Sequence, residues 1–206
     1  MRINKRCGKL SKMQSQNKED FMVIGVTGEP SSGKDTFAKY IEEKGFRHIS
    51  SGDYLRSQAE KLGIPLDRGS IQRFAINKRK EKGPQYPTDE FIDEIKENTV
   101  VSGFRNMSES NLIKSRFKEN YILVGITALP ETRFERMKKR GRIGDNITFG
   151  RFLEEQEIDR SIKGEGVQET DKVIENADYK IDNSGSEEEF KIKVDEWFEN
   201  NVIILE

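Results

Sequence analysis

Residues 28–36 read Gly28-Glu29-Pro30-Ser31-Ser32-Gly33-Lys34-Asp35-Thr36. They follow the apolar run Met22-Val-Ile-Gly-Val-Thr27 and open a stretch with helical spacing. A buried strand, a glycine-bounded loop and a helix in that order make a phosphate loop. Gly28 and Gly33 permit backbone conformations that a side chain would block. The loop N–H groups then turn inward toward phosphate oxygens, and the helix N-terminus adds positive potential. Lys34 supplies a point charge at the end of the bound phosphate chain. Such loops usually carry Ser or Thr directly after the lysine, as a Mg²⁺ ligand. Here that position is Asp35, with Thr36 next.

The chain has 206 residues, enough for one domain of ordinary size. Lys plus Arg is 36 against 37 for Asp plus Glu, a net charge of −1. That balance argues against a general nucleic-acid binder. Only 33% of residues are apolar, but twelve Phe still provide a core. No run approaches the roughly 18 apolar residues that span a bilayer. Cys7 is the single cysteine and His48 the single histidine, which excludes a disulfide framework and a Cys/His zinc site. One cysteine suits a reducing, cytoplasmic setting. Residues 1–20 hold six Lys or Arg against two acids and read as a disordered basic leader, leaving 21–206 as a single domain.

Short apolar runs alternate with amphipathic stretches. Strands are expected at 21–26, 46–49, 99–101, 121–127 and 179–181. Helices are expected at 34–44, 53–62, 70–80, 89–98 (capped by Thr88), 108–118, from Pro130 to before Gly141, and at 149–162, 170–176 and 187–198. This alternation predicts an α/β fold with a parallel sheet covered on both faces. In such sheets ligands bind at the carboxyl ends of the strands, which singles out Arg105 after the third one.

The phosphate loop resembles that of the nucleoside-monophosphate-kinase group of P-loop kinases. His48-Ile-Ser-Ser-Gly-Asp-Tyr-Leu-Arg56 is similar to the acceptor-site segment of adenylate kinases. Val101-Ser-Gly-Phe-Arg105 resembles the strand end whose arginine holds the acceptor phosphate. Thr132-Arg-Phe-Glu-Arg-Met-Lys-Lys-Arg-Gly-Arg142 looks like the helix entering a mobile lid. Ala177-Asp-Tyr-Lys-Ile-Asp-Asn-Ser-Gly185 resembles the adenine-side loop of dephospho-CoA kinases. Gly83-Pro-Gln-Tyr86 is similar to a segment of the kinase domains that precede deoxycytidylate deaminases. The resemblance spans 22–198 and is closest to dephospho-CoA-kinase-like proteins.

The resemblance implies a three-layer α/β/α P-loop fold with strand order 2-3-1-4-5. An acceptor-binding insertion is expected at about 53–97 and a lid at about 141–150. It implies ATP on Gly28–Thr36, with Asn183 and Gly185 flanking the adenine. Ser51, Asp53, Arg56 and Arg105 are expected to hold the acceptor, and Lys34, Arg105, Arg140 and Arg142 to serve the transfer. Arg160 is a weaker lid candidate. Adenylate-kinase-like enzymes carry Asp where Ser102 stands, so the two metal-site residue types are exchanged. Asp35 and Ser102 are therefore the expected Mg²⁺ ligands. Plainer roles remain open. Asp35 and Asp53 are also reasonable first-turn helix acids, and Arg56 a solvated surface cation. His48 is expected to pack or hydrogen-bond near a strand end, and Tyr54, Phe74 and Tyr86 either to fill the core or to stack on an acceptor base.

The expected activity is ATP-dependent phosphoryl transfer to a (deoxy)nucleoside monophosphate. Dephospho-CoA is the alternative acceptor, and a nucleotide-binding regulator without turnover is the alternative class. The expected partners are ATP and a small phosphorylated acceptor, with no nucleic acid and no membrane, in a monomer or homodimer.

Overall fold

The computed structural model describes residues 21–141, 147–161 and 169–202. Five parallel strands make one sheet: β1 Val23–Gly28, β2 Arg47–Ser50, β3 Thr99–Ser102, β4 Tyr121–Thr127 and β5 Tyr179–Asp182. Their order is β2-β3-β1-β4-β5. The helices are α1 Lys34–Glu43, α2 Ser51–Lys61, α3 Arg68–Lys82, α4 Thr88–Phe91, α5 Met107–Phe117, α6 Pro130–Arg140, α7 Phe149–Ser161, α8 Thr170–Glu175 and α9 Glu187–Asn201.

Every residue of the central strand β1 is buried, as a sheet covered on both faces requires. Successive side chains feed opposite layers. Ile24 and Val26 join Phe37, Ile41, Trp197 and Phe198 beneath α1 and α9. Val23 joins Val101, Ile113, Phe117, Leu123 and Val173 beneath α5 and α8. A third cluster of Leu55, Ala59, Phe74, Ala75 and Tyr86 binds α2 to α3, between β2 and β3 in the chain. Phe134 and Met137 on α6 meet Phe152 on α7 in a fourth.

Local chemistry places most helix ends. Ser50 caps α2 by accepting the Asp53 N–H, and Asp67 caps α3 by accepting that of Ser70. Ser186 and Glu189 form a reciprocal capping box on α9. Pro130 opens α6, and Gly141 closes it in the left-handed region at φ 64°. The segment after Thr88 departs from the expected helix over 89–98. Thr88 is fully buried inside α4 and does not cap it, and a single 3₁₀ turn at Ile92–Glu94 follows. Phe91 and Ile95 are both buried against β3 and α5, so the chain turns to bury them and runs on into the sheet.

Candidate functional site

The sheet register gathers the expected site at one edge. Val26 and Ser50 both align with Ser102, where β2 and β3 end, and β1 runs two residues further to Gly28. The phosphate loop, the N-terminus of α2 and the loop 103–106 all leave from that edge. Gly103, at φ 95°, donates its N–H to the Val26 carbonyl and lets its backbone lie against the start of α2. A Cβ there would sit 3.5 Å from the Gly52 nitrogen.

The phosphate loop is closely packed. Ser31 (φ 63°) and Gly33 (φ 101°) occupy the left-handed region. A Cβ on Gly33 would run into Nδ2 of Asn183, and one on Gly28 into the Ser32 hydroxyl. The Ser32 Oγ is buried and has no hydrogen-bond partner among the described residues. A buried hydroxyl without a partner is costly, and a phosphate oxygen in the loop is the kind of acceptor that would satisfy it.

Lys34 opens α1 with its side chain 12% exposed and its ammonium 3.6 Å from Asp35 Oδ1. Burial lowers its pKa to about 8; the neighbouring charges of Arg105 and Arg140 add to that, and Asp35 opposes it. Lys34 thus lies within electrostatic reach of two further cations, Arg105 and Arg140. Such a setting attracts anions. Burial also lowers the Arg105 pKa, against the pull of Glu109. Arg142 lies outside the described residues, as do the leader 1–20 and half of the expected lid, at 142–146. The side chain of Arg160, in α7, is likewise outside them.

Ser51 is buried at the first turn of α2, and its hydroxyl has no hydrogen-bond partner among the described residues. Asp53 and Arg56 form an exposed ion pair of 2.8 Å on the same helix. Ser102, 2% exposed, shares a hydrogen bond of 2.8 Å with Nε2 of His48. The Asp35 side chain is 67% exposed. Asp35 and Ser102 offer a carboxylate and a hydroxyl, hard oxygen donors of the type Mg²⁺ prefers, so the donor chemistry fits the ion. Tyr54, Phe74 and Tyr86 pack within the α2–α3 cluster, with Tyr54 on its margin.

Asn183 donates from Nδ2 to the Ser32 carbonyl at 2.9 Å. It accepts from Arg136 on both its backbone and side-chain oxygens, at 2.7 and 3.1 Å. Arg136 also donates to the Gly185 carbonyl. The loop after β5 is therefore clamped between α6 and the phosphate loop. Glu29, in the phosphate loop, pairs at 3.2 Å with Arg133, a fully buried arginine of α6.

Sequence reasoning missed Arg133, Arg136 and the buried pair of Arg79 with Glu109 at 3.2 Å. Asn106 followed three residues later by Glu109 was a readable capping signal. Nothing local marked Arg79 or Arg133 as buried.

A phosphate loop behind the central strand of a 2-3-1-4-5 sheet defines the P-loop kinase fold. Two shikimate kinase structures share it. One, from Bacteroides thetaiotaomicron, is 15% identical with a TM-score of 0.56, covering 87% of this chain and 97% of that one. The other, from Acinetobacter baumannii in complex with shikimate, is 16% identical with a TM-score of 0.53, covering 90% and 97%. Residues 24–163 match the AAA domain family AAA_18. The UPF0200 protein of Thermococcus kodakarensis is 32% identical over 182 residues, 84% of this chain and 94% of that one. That of Pyrococcus horikoshii is 34% identical over 181 residues, with the same coverage. The chain belongs to this UPF0200 family of AAA-domain proteins. No helix of the described residues is long and apolar enough to cross a membrane.

Proposed function

We propose that this protein transfers the γ-phosphoryl group of ATP to a small nucleotide-like acceptor, a (deoxy)nucleoside monophosphate. The observation that carries this reading is the buried Lys34, held among further cations at the sheet edge where α2 begins. Phosphoryl transfer needs positioning and charge neutralisation more than covalent chemistry. The phosphate loop holds the triphosphate on its N–H groups and the Ser32 hydroxyl. Lys34 offsets the charge that moves onto the β–γ bridge. Arg105, with Arg56 and the hydroxyl of Ser51, holds the acceptor; Arg140 serves the transfer from the C-terminal end of α6, and Arg142, outside the described residues, is expected to serve it too. Asp35 and Ser102 would hold Mg²⁺, which when bound would supply charge neutralisation to the phosphates.

An oxygen of the acceptor phosphate forms the new P–O bond, the γ-phosphorus-to-bridge bond breaks, and ADP leaves with that electron pair. A phosphate-oxygen acceptor is already deprotonated and needs no general base. This suits an Asp53 already paired with Arg56. Dephospho-CoA presents a hydroxyl that would need one, so it is the second acceptor. A regulator that binds ATP without transfer is favoured by one observation, the engagement of the Ser102 hydroxyl by His48.

The test is incubation with ATP and Mg²⁺ against a panel of NMPs, dNMPs and dephospho-CoA. ADP and product mass are followed, with Lys34→Ala as control. Acceptor-dependent ADP with a phosphorylated nucleotide is the expected result. ATP binding without acceptor-dependent turnover would instead establish the regulator.

A further inference from the structure

Glu109 lies at the third position of α5, fully buried. Its Oε1 accepts three hydrogen bonds: from Arg79 Nη2 at 3.2 Å, Asn106 Nδ2 at 3.0 Å and the Arg105 backbone N–H at 3.3 Å. Arg79 is itself buried and donates from Nε to the Tyr86 carbonyl at 3.0 Å. Asn106 also donates to the Pro84 carbonyl at 2.9 Å. One carboxylate therefore joins the C-terminal end of α3, the turn 83–86 and the loop that presents Arg105. Burial raises the Glu109 pKa and its charged neighbours lower it, so the site is electrostatically demanding. A buried ion pair adds little net stability over an apolar pair of the same shape. The Nη1 of Arg79 has no hydrogen-bond partner among the described residues, so the network is not fully satisfied either. Stability alone is a weak reason for charges at this junction.

We infer that Glu109, with Arg79, is a positioning residue: it fixes the Arg105 backbone to the α2–α3 insertion, so that the acceptor cation and the acceptor-binding helices move as one body. This inference rests on the kinase reading and adds a coupling within its acceptor site. The acceptor is gripped by Arg105 from the sheet edge and by Arg56 from α2. Misplacing one grip by about 1 Å costs roughly 100-fold in an oriented reaction.

The test compares wild type with Arg79→Met/Glu109→Leu and with Glu109→Gln. The double variant replaces the ion pair by apolar groups of similar length, and the Gln variant keeps the side-chain shape without its charge. For the double variant the expected result is a melting temperature close to wild type and an ATP KM changed less than about twofold, while the acceptor KM rises about 10- to 100-fold; Glu109→Gln, which keeps the accepting oxygen but leaves Arg79 charged and unpaired, should melt lower and keep an acceptor KM near wild type. In the double variant hydrogen exchange should quicken at the Arg105 amide and stay unchanged at the phosphate-loop amides. Should the double variant fail to fold, Arg79→Met, which frees α3 while burial lets Glu109 take up a proton, carries the same comparison of ATP and acceptor constants. ATP and acceptor constants deteriorating together, or an unchanged acceptor KM in the folded double variant or in Arg79→Met, would overturn the inference. Absence of any acceptor turnover in wild type would sink the kinase reading instead. The Arg105 amide would then decide the coupling, and unchanged exchange there would overturn it.

Discussion

At the residue scale, Lys34 sets the pH behaviour of the site. Its pKa of about 8 in the folded chain lies below the 10.5 of an unfolded one. ATP affinity should therefore fall as pH rises through about 8, where the free protein's ammonium loses its charge. Titration of ATP binding from pH 7 to 10, with Lys34→Ala as the flat reference, measures this. Stability runs the other way. Between about 8 and 10.5 the unfolded chain binds the extra proton, so the Lys34 contribution to stability rises with pH across that window. Urea titrations of wild type against Lys34→Met should show the variant's advantage shrinking by up to about 3 kcal/mol over it. Asp35 and Ser102, the proposed Mg²⁺ ligands, make a second prediction. Asp35→Ala should weaken Mg²⁺ dependence far more than Ser102→Ala, because a carboxylate carries charge and the Ser102 hydroxyl is already bonded to His48. Equal and small effects on a Mg²⁺ titration would discard that pair as ligands. Gly28, Gly33 and Lys34 were legible as residues, since their chemistry follows from conformational freedom and charge alone. The burial that lowers Lys34 was not.

At the element scale, Arg136 ties α6 to the loop after β5 through three hydrogen bonds. Arg136→Ala leaves those oxygens without their donor and frees Asn183, which bears on Gly33. The expected loss is about 2 kcal/mol, read as a lower melting temperature together with weaker ATP binding. Arg136→Lys should recover little, because one ammonium cannot reproduce the planar fork. Weakened stability with intact ATP affinity would separate this loop from the phosphate site. Most elements were readable in advance: α6 between Pro130 and Gly141, α9 after Ser186, β1 as an unbroken apolar run. The exception was the segment after Thr88. Its acidic run matched a helix start, but the need to bury Phe91 and Ile95 against β3 and α5 overrode the local preference.

At the scale of the whole molecule, the sheet and its two helical layers hold the site edge in register. Phe37 joins α1 to α9 over one face of the sheet: it is fully buried and its ring lies 5.4 Å from that of Trp197 on α9. Phe37→Ala should cost about 3–5 kcal/mol in urea unfolding. Trp197, the chain's only tryptophan, reports it by fluorescence. A loss under 1 kcal/mol would mean that α9 repacks freely. Sequence by itself determined the alternation of strands and helices, the phosphate loop and its helix, and, through resemblance, the strand order. These depend on periodicity, glycine placement and residue chemistry within a few positions. The tertiary structure alone decided that Glu109 meets Arg79, that Glu29 meets Arg133, that Arg136 reaches Asn183 and that His48 holds Ser102. Each joins residues far apart in the chain, and a charge in the sequence carries no mark of whether the fold will bury it or which partner it will find.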